Sequence, residues 1–156
     1  MFAHARAATP HDVPRLVELA HELRAELREM RGGALWEVRE ARVRPTVEAF
    51  AALLDRDDAH VVAGAIDDAV VAYGTAELER LTDGTTLGIV GDLYVEPEAR
   101  AVGVGEEVAG ALVAFCTAAG CTGIDAFALP GHREAKNFFE RNGFTARALV
   151  MHKPLR

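Results

Sequence analysis

The chain has 156 residues and a formal net charge of −7, with half its residues apolar and about a quarter charged. That is an ordinary globular balance, long enough for one domain with a real core, expected over residues 1–156. The acid excess argues against nucleic acid as a partner, since phosphate binding wants a basic face, and no apolar run is long enough to cross a bilayer.

No charged-then-apolar leader is visible at the N-terminus, so a cytoplasmic protein with no membrane partner is expected. The two cysteines, Cys116 and Cys121, read as small, reduced, apolar residues. The six histidines show no metal-ligand spacing, so no metal is expected.

In chain order, Ala3 to Ala8 reads as a strand. Thr9-Pro10-His11-Asp12 then starts a helix, with an N-cap hydroxyl, Pro in the first turn and an early acid. Val13, Leu16, Val17, Ala20, Leu23 and Leu27 recur at helical spacing, and Arg31-Gly32-Gly33 ends the run. Residues 34–44 read as irregular and charged, and hold the only tryptophan, Trp36. A second helix fits Thr46 to Leu54, with Val47, Phe50 and Leu54 on one face. His60 to Ile66 and Val70 to Glu79 form a hairpin about Asp67-Asp68, and Leu87 to Val95 adds a third strand.

A helix follows with Val108, Leu112 and Phe115 on one side, closed by Gly120. Thr122 to Leu129 reads as a strand broken by Pro130-Gly131. A short helix carries Ala135, Phe138 and Phe139 to an Asn142-Gly143 stop, and Phe144 to Lys153 reads as a last strand. The order β, α, α, β, β, β, α, β, α, β predicts an α/β chain. An antiparallel run joined to a β-α-β crossover makes a mixed sheet with helices on both faces.

The chemistry-bearing stretch is Gly91 to Phe115. An apolar strand passes through Pro97 into Arg100-Ala101-Val102-Gly103-Val104-Gly105, an R-x-x-G-x-G loop opening a helix. Glycines at that place leave backbone N–H groups free to close on an anion at the positive end of the helix dipole. A tight structural turn would use the same glycines for packing alone. Glu106 and Glu107 suit the dipole but would repel a pyrophosphate unless they point outward.

The opening Arg6 to Asp12, this stretch, and His132 to Phe144 resemble, in that order and separation, three motifs of the GNAT family of N-acetyltransferases. In the last segment Ala135, Phe138, Gly143 and Phe144 match in register. The resemblance implies that family's fold and an acetyl-CoA-dependent transfer to an amine, on a small molecule or a protein, by direct attack in a ternary complex. It places the coenzyme A pyrophosphate on Arg100, Ala101, Val102, Gly103, Val104 and Gly105. It places the rest of the cofactor along Leu93, Tyr94 and Val95, with His132, Phe138 and Phe139 beside it. The oxyanion donor would be a backbone N–H where the strand bulges away from its neighbour, around Tyr94 and Val95. Trp36 would help line the acceptor pocket, or simply pack its loop onto the body.

Two departures stand out. The tyrosine that serves the family as general acid is Phe139 here, so Tyr94 or a water would substitute, or the thiolate, the base of a fairly acidic thiol, would leave unprotonated. The motif asparagine is His132. For the base, strand alternation sets Val90, Asp92 and Tyr94 on one face. Asp92 reads either as the base or as an anchor that fixes a neighbouring loop by hydrogen bonds, and Glu77 is the second candidate. Phe139 and the Glu pair also fit a non-catalytic acyl-CoA-binding module. A homodimer through exposed strand edges is compatible with this layout.

Overall fold

The computed structural model describes residues 2–42 and 47–156. The strands are β1 (Ala3–Ala7), β2 (Ala59–Ile66), β3 (Ala69–Arg80), β4 (Thr86–Val95) and β5 (Gly123–Asp125). The helices are α1 (Val13–Arg28), α2 (Gly33–Arg39), α3 (Val47–Leu54), α4 (Val104–Ala118) and α5 (Arg133–Arg141). The five strands form one sheet in chain order, antiparallel from β1 to β4 and parallel between β4 and β5. The α4 crossover makes that parallel step possible.

Each face of the sheet carries its own core. On one side Leu16, Leu19, Leu23 and Leu27 of α1 and Phe50 of α3 pack on Val61, Tyr73 and Tyr94. On the other, Val104, Val108, Leu112 and Cys116 of α4 pack on Val62, Ala72, Ala76 and Val90. Alternation along the strands divides the residues between the two cores, as at Val61 and Val62. α4 lies unusually close to the sheet. A Cβ at Gly64 would stand 2.6 Å from a Val108 methyl, and one at Gly74 2.7 Å from the other.

The mixed sheet with helices on both faces is as expected, and four details differ. The segment from residue 34 is not irregular but forms α2, and Gly33 opens this helix instead of ending the previous one. The expected start of the next helix at Thr46 lies outside the described residues; from Val47 the helix is as read. The strand expected over Thr122 to Leu129 keeps only Gly123–Asp125. The last strand, expected over Phe144 to Lys153, is absent: those residues have no regular structure and are largely exposed. No helix among the described residues is long and apolar enough to cross a membrane.

Candidate active site

The site is set by how β4 leaves its neighbours. Against β3 it pairs Ala72 with Val95, Tyr73 with Tyr94 and Gly74 with Leu93, then slips and resumes with Ala76 opposite Val90. The slip is a bulge at Gly91–Asp92, where the Asp92 N–H donates to Thr75 Oγ1 at 3.0 Å. Against β5, β4 pairs only over Leu87–Ile89. From Val90 onward it parts from β5. Both events come earlier in the strand than Tyr94 and Val95, where the sequence suggested them. The bulge also corrects the face assignment. Val90 packs in the α4 core and Tyr94 in the α1 core, because an extra residue in a strand reverses its alternation.

The parting exposes backbone donors. The Glu96 N–H donates to the Val71 carbonyl at 2.9 Å. Antiparallel ladders alternate between bonded and non-bonded pairs, so Tyr94 is bonded to Tyr73 while the N–H groups of Leu93 and Val95 point the other way, into the gap.

Directly beyond, Ala101 at φ 70° and Gly103 at φ 93° turn the chain into α4. No side chain caps that helix, which leaves its first N–H groups open. A Cβ at Gly103 would meet nothing within 4 Å, so this residue lines open space. Gly105 is different: a Cβ there would stand 3.1 Å from the Phe138 ring and 3.4 Å from Val95. One glycine shapes the cradle and the other admits the Phe138 ring. The Val104 side chain is buried in the α4 core and the Val102 side chain is exposed, so Val104 offers the cradle only backbone. Glu106 and Glu107 are both exposed, and Glu106 lies 3.6 Å from Arg141. Solvent screens both acids and Arg141 offsets Glu106, so they do not bar an anion from this helix start.

Arg100 does not point at that cradle. Its Nε donates to the Val95 carbonyl at 2.8 Å, and its Nη2 holds both oxygens of Glu26 at 3.1 and 3.2 Å. Glu134 is 3.5 Å away, and the guanidinium lies 5.5 Å over the Tyr94 ring. Arg100 thus ties the loop to α1 and β4.

α1 turns a row of charges toward this end of β4. Arg15 ion-pairs with Glu96 and donates to the Val70 carbonyl at 2.9 Å. Glu22 accepts from the Tyr94 hydroxyl at 3.3 Å. Burial, helped by Glu22 and Glu26, pushes the Tyr94 phenol up to about 12. His132 sits at the start of α5, and burial lowers it despite the raising influence of Glu26 and Glu134. Phe138, Phe139 and Phe144 form an edge-on aromatic cluster with centroids 5.5 and 5.2 Å apart. Phe139 fills space there and brings no hydroxyl.

Asp92 is already engaged. Its Oδ2 accepts from Arg42 Nε at 3.1 Å and from the buried Tyr73 hydroxyl at 2.9 Å. Burial and the Asp92 charge hold the Tyr73 phenol well above its usual range. Arg42 also donates to Thr75 Oγ1 at 3.2 Å, and its own carbonyl accepts from Arg24 at 3.1 Å. The Asp92 side chain and backbone are thus held together with Arg42, Tyr73 and Thr75. Trp36, Leu23, Arg24 and Arg42 line a small cleft above it. Glu77 lies beyond the bulge against Arg56 at 3.6 Å and meets none of these groups by hydrogen bond.

Sequence reasoning missed Arg42, Glu22 and Glu26. Arg42 contacts a residue 50 positions away, and no local pattern records that. Glu18, Glu22 and Glu26 do repeat at four-residue steps along α1. That row was a signal that one helix face serves charge instead of core.

A model of the acetyltransferase (GNAT) family matches residues 18–144. The chain belongs to the GNAT family. The match spans both the α4 loop and α5. This GNAT chain resembles a mutant of the BH1408 protein from Bacillus halodurans, with a TM-score of 0.85 at 19% identity and all of both chains covered. It is also similar to glucosamine-6-phosphate N-acetyltransferase from Arabidopsis thaliana, with a TM-score of 0.73 at 18% identity, again over all of both chains. A third likeness is to an aminoglycoside acetyltransferase from an uncultured soil metagenomic sample, solved in complex with trehalose. There the TM-score is 0.71 at 20% identity, covering 99% of this chain and 96% of that one. At these identities the likeness is one of fold. No curated protein matches the sequence.

Proposed function

We propose that this GNAT chain transfers an acetyl group from acetyl-CoA to a primary amine, on a small molecule or a protein, by direct attack in a ternary complex. The observation that carries the reading is the continuity of free backbone donors. The unpaired N–H groups of Leu93 and Val95 run into the uncapped start of α4. Acetyl-CoA supplies the thioester and the pyrophosphate. The N–H groups from Ala101 to Gly105 receive the pyrophosphate. Leu93 aligns the chain of amides behind it, and the Val95 N–H faces the oxygen on which charge develops. Phe138 and His132 wall the same channel.

Tyr94 takes the acid role that Phe139 cannot. A phenol held near 12 stays protonated at neutral pH and can give its proton to the departing thiolate. Glu22, which already accepts from that hydroxyl, stands where an incoming ammonium would lose its proton. Glu22 and Glu26 also favour a cationic acceptor. Asp92 positions the Arg42 segment, and with it Trp36, over the acceptor. Glu77 is left at the rim.

Calorimetric titration tests this, with acetyl-CoA, free coenzyme A and ATP compared. Micromolar binding of acetyl-CoA and none of ATP is expected, followed by thiol release in a screen of amines. No acetyl-CoA binding would defeat the reading. Phe139 favours one alternative, an acyl-CoA-binding module without turnover. Thiol release with any amine removes that alternative.

A further inference from the structure

α4 ends on a pair of sulfurs. The Gly120 N–H donates to the Thr117 carbonyl at 3.0 Å and the Cys121 N–H to the Cys116 carbonyl at 3.0 Å, about a left-handed Gly120 at φ 80°. These two bonds make a Schellman stop, in which the residue after the glycine folds back on the residue five before it and their side chains meet. An apolar pair commonly fills those two positions. Here both are cysteines, and both are free thiols.

The backbone brings the pair within reach of a disulfide. The 3.0 Å bond from the Cys121 nitrogen to the Cys116 oxygen holds the two Cα atoms within about 7 Å, the limit for bridging without backbone movement. The thiols also influence one another. Burial, followed by the charge of Cys121 and a side-chain hydrogen bond to it, pushes the Cys116 thiol up to about 11.

The two sulfurs differ in access. Cys116 is 2% exposed in the α4 core, and Cys121 is half-buried at the margin of that core. Cys116 Sγ lies over β4, where a Cβ at Gly88 would stand 2.4 Å from it, and Gly88 pairs with Ile124 of β5. Beside Cys121, the Thr122 N–H donates to the Thr86 carbonyl at 2.9 Å as the chain enters β5. A bond between the sulfurs would tie the end of α4 to the root of β5, where β4 and β5 pair over only three residues.

We propose that Cys116 and Cys121 form a reversible oxidation site, reduced at rest and closed by hydrogen peroxide to a disulfide that clamps α4 to β5. Cys121, as thiolate, attacks one oxygen of the peroxide. The O–O bond breaks, Cys121 becomes a sulfenic acid, and the hydroxide released recovers the thiol proton as water. The Cys116 sulfur then attacks the Cys121 sulfur. The S–S bond forms, the S–O bond breaks, and the departing hydroxide takes the Cys116 proton as a second water. Two thiols lose two electrons and the peroxide gains them. A dithiol reverses the change by exchange. The site stands at the far end of α4 from Gly103, so it is separate from the proposed acetyl-CoA cradle.

The full chain, reduced and then treated with hydrogen peroxide, is denatured, alkylated with iodoacetamide and weighed by mass spectrometry. It should have lost two hydrogens and take no alkyl group, at the mass of a single chain. After dithiothreitol it should take two. Cys116→Ala should instead gain oxygen at Cys121, and Cys121→Ala should stay unmodified. Should these variants fail to fold, the wild-type masses decide alone. Oxidised wild type should melt about 5 °C above the reduced protein, the effect of closing a loop this short in a chain of this size. A wild type that still takes two alkyl groups overturns the proposal. So does one that gains oxygen without losing hydrogens, or one that links only between chains. A disulfide that leaves the melting temperature unchanged or lower overturns the clamp on β5.

Discussion

The two halves of the sheet are built to different rules. From β1 to β4, pairing is nearly continuous: all of β2 pairs with β3 with one bulge at Gly64–Ala65, and both faces carry packed cores. From β4 to β5 only three pairs form, after which β4 goes on alone and the next strand never appears. The first half is paired across every internal strand boundary, β1 being its edge. The second has free donors at Leu93, Val95 and the start of α4, and a free edge on β5. Stability sits where pairing is complete, and the candidate chemistry sits where pairing is abandoned.

That contrast can be broken at several points. Leu112→Ala, under the complete half, should cost about 3 kcal/mol, while Ile124→Ala on the short strand should cost about 1 kcal/mol. Urea unfolding of both variants measures the difference, and equal costs would remove it. Gly103→Val should lower acetyl-CoA affinity about 100-fold, since a side chain would occupy the cradle and a β-branched residue resists φ of 93°. Its melting temperature should fall by only a few degrees, and titration beside calorimetry reads both effects.

Tyr94→Phe should lower kcat about 10- to 100-fold with little change in acetyl-CoA affinity. Steady-state kinetics against thiol release decides it. Asp92→Asn should instead raise the acceptor KM and loosen Arg42. If Asp92→Asn rather than Tyr94→Phe lost kcat, with acceptor KM unchanged, the anchor assignment would fall.

Asp12 tests the paired half. Hydrogen bonds from Arg6 at 2.7 and 2.9 Å and from the Thr9 N–H at 2.8 Å hold its carboxyl down at about 2 against an ordinary 3.8. A lowered folded value stabilises the protein above the unfolded value, and the stabilisation is lost as pH falls through the folded one. Asp12→Ala should therefore cost about 1–2 kcal/mol at pH 7, allowing for the exposure of Arg6. Denaturation curves for the two proteins should converge between about pH 4 and pH 2. The smallest effect belongs to Ala101→Gly, which relieves a left-handed alanine and should stabilise by up to about 1 kcal/mol.

What the sequence made legible follows the same division. β1 to β4, α1 and α4 came from period and alternation, which are local. The R-x-x-G-x-G loop was readable because its glycines have a backbone reason. α2 was missed because seven residues hold too few turns to show a period. The face of Val90 was misread because a bulge leaves no mark in composition. The strand from Phe144 to Lys153 was expected on propensity alone. A strand exists only when something pairs with it, and among the described residues nothing does. Arg42 and Asp92 meet across the fold and were visible only as a choice between two roles for Asp92.

Arg100 has one more consequence. Its charge is committed to Glu26, Glu134 and the Val95 carbonyl, so under the proposed function the loop would meet phosphate chiefly with neutral amides. The chain around it is acidic. A polyanionic cofactor would then approach against a repulsive far field and be held only at close range. Moderate salt, which shortens the reach of that field, should speed its capture where it would slow capture by a basic cleft.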